Sequence, residues 1–129
     1  MFAAGQVWTY RTPPGSEASR MVVGAVLAFA EPPAIVCCAV LGAPQRMPDG
    51  TVSRITIPFL PMTQPALAAS VIALEGSGEP PAAFAAQFAA WRSEARGLAY
   101  FTVPFEGHLD QMIARQMAEI AGVDPGGAG

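Results

Sequence analysis

Read for alternation of apolar and polar positions, the chain opens on a strand over residues 6–11. Trp8 and Tyr10 fall on one face, with Val7, Thr9 and Arg11 on the other. Residues 12–19 hold Pro13-Pro14-Gly15 among small polar residues, a turn by composition. Two runs rich in β-branched residues follow, 20–30 and 34–41, joined by Glu31-Pro32-Pro33, and the simplest arrangement is an antiparallel hairpin. Both runs are apolar on both faces. One face is expected to meet helices, and the other needs a cover of its own: a strongly curled sheet or a dimer interface.

Residues 42–50 read as a loop that ends in the turn signal Asp49-Gly50. The fourth strand then places Ile55, Ile57 and Phe59 on one side and Arg54 and Thr56 on the other, until Pro58 and Pro61 interrupt the ladder. Thr63 is positioned as a helix N-cap, after which Leu67, Val71 and Leu74 share a helical stripe. No charged residue occurs between Ile55 and Leu74, which places this junction in the core.

Residues 75–81 form a further loop. Pro80 and Pro81 suit the first turn of a second helix that carries Phe84, Phe88, Trp91 and Ala95 on one stripe, with Gly97 at its C-terminal cap. A short strand over 100–104 turns Phe101 and Val103 to one face. A last helix over 107–121 is expected to bury Leu109, Met112, Ile113, Met117 and Ile120. The expected fold is α+β, a curled antiparallel sheet of about four to five strands with two to three helices packed on one face. Residues 1–122 form a single domain in this reading, and 123–129 a flexible tail.

Composition narrows the partners. With 52% hydrophobic and only 13% charged residues, 129 residues are enough for one sizeable core. All seven basic residues are arginine, and the net charge of −3 argues against nucleic acid, which calls for a basic patch. The N-terminus lacks the basic and apolar regions of a signal peptide. Glu31-Pro32-Pro33 divides residues 21–41 too finely for a membrane span, which needs about 20 continuous apolar residues. Cys37 and Cys38 are adjacent, so in a strand they point to opposite faces; a reduced, cytoplasmic protein is expected, with a strained vicinal disulfide as the alternative.

Certain residues also resemble a small group of uncharacterised bacterial proteins. They are Gly5-Gln6-Val7-Trp8-Thr9-Tyr10-Arg11-Thr12, Pro14-Gly15-Ser16-Glu17 and Ser19-Arg20, then Pro61-Met62-Thr63, Ser70-Val71, Trp91, and 97–102 as Gly-Leu-Ala-Tyr-Phe-Thr. The resemblance spans most of the chain and implies a single compact domain, with no activity attached. The group carries a histidine where this chain has Phe59, and more polar second and third strands, so any role of that histidine is missing here.

Candidate chemistry is sparse. His108, the only histidine, sits near a helix start between Glu106 and Asp110, where a surface or capping role outweighs that of a general base. Cys37 and Cys38 read as small hydrophobes, and with one histidine they cannot supply the ligand spacing of a tetrahedral zinc site. No cofactor motif and no catalytic residue is recognised. The set of interest is Trp8, Tyr10, Arg11, Arg20 and Arg54, with Glu17 able to pair with an arginine. It could hold an anionic group, or it could staple the loop after the first strand. Phe84, Phe88 and Trp91, with Phe101 and Phe105, suit the core better than a pocket. The sequence thus favours a non-enzymatic module that self-associates or binds a protein through the outer face of residues 21–41. The alternative is a binder or enzyme for a small anionic ligand.

Overall fold

Residues 20–46 set the architecture, because they form the two strands at the centre of the sheet. In the computed structural model, which describes residues 2–94 and 99–120, β2 (Arg20–Leu27) and β3 (Ile35–Arg46) pair antiparallel from Arg20↔Leu41 to Leu27↔Ile35. Around them lie β1 (Gln6–Tyr10), β4 (Val52–Thr63) and β5 (Val71–Ser77), in the order β4-β3-β2-β1-β5. All neighbouring strands are antiparallel and the sheet is open. Three helices complete an α+β fold: α1 (Gln64–Ser70), α2 (Ala83–Arg92) and α3 (Leu109–Ile120).

The alternation of β3 divides the interior in two. Val36, Cys38 and Val40 join Met21, Val23, Leu60 and Met62 in the larger core, which is capped by Ala66 and Leu67 of α1, by Val103 and Phe105, and by Met112 of α3. Ile35 and Cys37 face the other way, where Phe84 of α2 packs on them together with Phe59, Phe88 and Trp91. The middle of the hairpin is therefore buried on both sides, while Val26 and Leu41 toward its ends stay partly exposed. Its reverse face is closed by a helix of the same chain, where the sequence reading looked to a curled sheet or a second copy. Two helices share one face of the sheet and the third lies on the opposite one.

Several boundaries differ from the sequence reading, each for a local reason. Residues 42–46 continue β3 instead of forming a loop, because a register irregularity between Val40 and Ala43 restores pairing with Ile55 through Val52. β4 runs through both prolines. It lies at the sheet edge, and Pro61 turns its backbone outward, its carbonyl accepting from Phe101 N–H at 2.9 Å. A second irregularity, between Cys38 and Val40, moves Phe59 off the face of Ile55 and Ile57 and into the α2 cluster.

Thr63 does cap α1, its Oγ1 accepting from Ala66 N–H at 3.4 Å. The helix ends at Ser70, however, and residues 71–77 form β5 along β1 instead of extending the helix and a loop. Val71 and Ile72 are β-branched, and the free edge of β1 supplies the hydrogen bonds that make a strand the better outcome there. The expected strand over 100–104 is reduced to one parallel bridge, Met62↔Phe101. Met112 of α3 is buried as expected, but Ile113 and Met117 are exposed. Gln116 takes their place on the inner face, accepting from Thr102 N–H at 2.9 Å. The expected cap at 97, the stripe position at 95, the side chain at 120 and the tail at 123–129 lie outside the described residues.

Candidate functional site

The five residues singled out from the sequence do not converge. Trp8 and Tyr10 point into the larger core, whereas strand alternation sends Arg20 and Arg54 to the other side of the sheet. Tyr10 is buried, its ring edge-on to Phe105 at 5.3 Å and its hydroxyl 2.6 Å from Ser19 Oγ. Burial pushes the Tyr10 phenol above its ordinary value, with the Ser19 hydrogen bond acting against this. Trp8 is half-buried, packs edge-on to Phe2, and donates from Nε1 to Gln6 Oε1 at 3.1 Å.

Arg20 and Arg54 are structural clamps on residues 12–19. Arg20 Nε donates to both carboxylate oxygens of Glu75 at 2.9 Å, and its Nη1 donates to the carbonyls of Glu17 and Ser19. The pairing holds the Glu75 carboxyl below its usual range and raises the Arg20 guanidinium. Arg54 Nη2 donates to Gly15 O at 3.1 Å. Glu17, expected to pair with an arginine, instead accepts from Gly15 N–H and closes the turn on itself.

Arg11 is placed differently. Just beyond β1, its backbone N–H donates to Ser70 O and its Nε to Ala69 O at 3.1 Å, so it caps two carbonyls at the C-terminal end of α1. That fixes the stem and leaves the two terminal nitrogens without a hydrogen bond among the described residues. They border a cleft of about 730 Å³ lined by Arg11, Thr12, Pro13, Glu106, Gln111 and Arg115, among others. Arg115 Nη1 pairs with Glu106 Oε1 at 3.2 Å, both side chains well exposed. Gln111 reaches back with Oε1 to the His108 N–H at 3.1 Å, half of a capping box at the start of α3. Gly107 makes room for that cap: its φ is +76°, and a Cβ there would lie 2.6 Å from Gln111 Oε1.

The electrostatics of the cleft follow from this accounting. Glu106 and Arg115 cancel, and Arg11 adds one positive charge. The Arg11 terminal nitrogens, the Gln111 amide nitrogen and the Thr12 hydroxyl are donors with no partner among the described residues, and Glu106 is the one carboxylate in the wall. Such a lining suits an acceptor-rich, negatively charged group. The sequence offered one signal for it, Arg11 beside an expected loop. Gln111 and Arg115 carried none, because only the docking of α3 brings them near residues 11–13.

The remaining candidates are accounted for by packing. His108 Nδ1 lies 3.0 Å from Arg46 Nη2, and against an arginine donor it can only accept, which puts the ring proton on Nε2. Cys37 and Cys38 are free and fully buried. Burial pushes the Cys37 thiol up to about 12 and the Cys38 thiol higher still, so both stay protonated near neutrality and are poor nucleophiles. Phe84, Phe88 and Trp91 pack on Phe59 within one face, whereas Phe101 and Phe105 belong to the other, so the five do not line a common pocket. Among the described residues no three His, Cys, Asp or Glu side chains are grouped to hold a metal ion, and no helix is long and apolar enough to cross a membrane. No family model, curated protein or solved structure matches the chain.

Proposed function

We propose that this chain is a small, non-enzymatic, cytoplasmic binding domain that takes an anionic small molecule, a carboxylate or phosphate, in the cleft between residues 11–13 and α3. The observation that carries the reading is Arg11: its stem is held by the end of α1, and its donor fork is left unspent at the rim of a cleft of about 730 Å³. A guanidinium fixed by one nitrogen loses less freedom when it grips a carboxylate or phosphate in two-pronged fashion. The buried, protonated thiols suit a reducing compartment.

Titration calorimetry with inorganic phosphate and with succinate tests this. The parent should bind at least one of them and gain thermal stability, since a ligand at a hundred times its Kd adds about 2.7 kcal/mol. Arg11→Gln should abolish the effect, and Arg54→Gln, which alters only a loop clamp, should leave it. An unchanged response in Arg11→Gln would end the proposal.

A second reading, self-association, draws more support from β5 than from the outer face of residues 21–41, part of which α2 covers. β5 closes one side of the sheet with an unpaired edge, and Ile72 and Leu74 on it are 64% and 52% exposed. The usual guards of such an edge, lysine and proline, are absent from residues 71–77, and Glu75 is neutralised by Arg20. Light scattering of the parent and of Leu74→Lys distinguishes the cases: a dimer that the substitution dissolves supports pairing through β5, and a parent that stays monomeric removes it.

A further inference from the structure

The opposite end of the β2–β3 hairpin carries a second concave site of contrary character. A cleft of about 350 Å³ is lined by Phe29, Glu31, Pro32, Pro33, Ile35 and Tyr100. Phe29 is 48% and Tyr100 42% exposed, two large rings left wet at a concave surface, while buried Ile35 forms an apolar floor. Glu31 is exposed and makes no hydrogen bond or ion pair among the described residues. Pro32 and Pro33 contribute wall without backbone N–H groups, so this stretch of the lining has nothing to offer an anion.

We propose that this cleft binds an alkylated ammonium group. Aromatic rings present a negative face that attracts a cation, and the attraction is strongest where the cation is weakly hydrated. A primary ammonium gives up several strong hydrogen bonds to water on entering, and one carboxylate cannot replace them all. A quaternary ammonium has no N–H to satisfy, spreads its charge over methyl groups, and presents an apolar surface to Phe29, Tyr100, Ile35 and the two prolines. Glu31 supplies the counter-charge. Along β2 this site is separated from the Arg11 end of the sheet by seven residues, roughly 20 Å of strand, so the two sites take ligands of opposite sign without sharing a residue.

The probes are choline, its neutral carbon isostere 3,3-dimethylbutan-1-ol, and a short acetylated peptide amide containing trimethyllysine. Binding is read from the ring-proton NMR shifts of Phe29 and Tyr100. Choline or the peptide should shift both rings saturably, whereas the isostere should bind about tenfold more weakly or not at all. Tighter binding of the peptide than of choline assigns the site to a modified side chain of a partner, and the reverse order assigns it to a free metabolite. Glu31→Gln, an exposed and near-isosteric change that leaves the fold intact, should weaken binding several-fold, and Tyr100→Ala should weaken it further. Equal affinity for choline and its isostere, indifference to Glu31→Gln, or no saturable shift with either choline or the peptide at tens of millimolar each overturns the proposal.

Discussion

On one face of the sheet, Val36, Cys38 and Val40 of β3 lie under α1, α3 and the segment carrying Val103 and Phe105; on the other, Ile35 and Cys37 of the same strand meet one helix, α2, together with Phe59 of β4. Among the described residues the first face holds fourteen buried residues in one cluster and the second three, flanked by partly exposed aromatics. The second face makes up in ring contacts what it lacks in depth. Phe59 sits 5.3–6.1 Å from Phe84, Phe88 and Trp91, and the Arg92 guanidinium lies over the Phe88 ring at 5.7 Å. Apolar alternation on both sides of a strand thus demands cover twice, but it does not say how thick each cover is.

The sharpest test of that contrast is truncation on each face. Phe105→Ala, at a fully buried ring whose backbone N–H donates to Ser70 Oγ at 2.7 Å, should cost about 3–5 kcal/mol in urea denaturation. Phe88→Ala, at a half-buried ring of the thinner face, should cost only about 1–2 kcal/mol. Equal losses would mean that the two layers are energetically alike.

Gly24 probes how closely α2 is seated. A Cβ there would lie 2.3 Å from Phe84 Cζ, so Gly24→Ala should cost about 1–3 kcal/mol through overpacking. Phe84→Leu in the same chain should recover part of that loss, and additive effects would show that the helix does not rest on this glycine.

Alkaline pH addresses both faces together. Cys37 and Cys38 have folded values raised above the ordinary 9.0 by burial, and Tyr10 is raised above 10.0. The folded state therefore keeps protons that the unfolded chain releases. Stability is full below about pH 9 and falls as pH rises, by up to about 1.4 kcal/mol per unit for each group, until the folded value is passed. For Cys37 that window runs from the ordinary 9.0 to about 12, and Cys37→Ala should flatten the slope of the denaturation midpoint across it. An unchanged slope would mean that the thiol is not held dry by α2.

Glu75→Gln should give the smallest change. Its pairing with Arg20 is solvent-facing, so the denaturation midpoint should move within error, and a clear loss would assign the Arg20 clamp a part in closing the sheet.

The β2–β3 hairpin was legible because β-branched runs around Glu31-Pro32-Pro33 leave little else to form. The N-cap at Thr63 and the stripe of Phe84, Phe88 and Trp91 were legible because capping and helical spacing are local properties. The strand at residues 71–77 was not, since Val71 and Leu74 fit a helical stripe and only the open edge of β1 decides between the two. Nor was the side on which Phe59 falls, which depends on one irregularity opposite Val40. The five candidate site residues were scattered for the same reason: alternation assigned Trp8 and Tyr10 to one face and Arg20 and Arg54 to the other, and Arg11 came to line the cleft against α3.

By itself, then, the sequence determined the central hairpin, the Thr63 cap, the helical stripe of Phe84, Phe88 and Trp91, and the need to bury both faces of residues 21–41, because propensity, capping and alternation act over a few neighbours. Tertiary structure alone decided that α2 supplies the second cover, that β5 completes the sheet, and that Arg11 meets Gln111 and Arg115 across a cleft. Those outcomes depend on contacts between residues far apart in the chain, whose energies appear only when the layers are stacked.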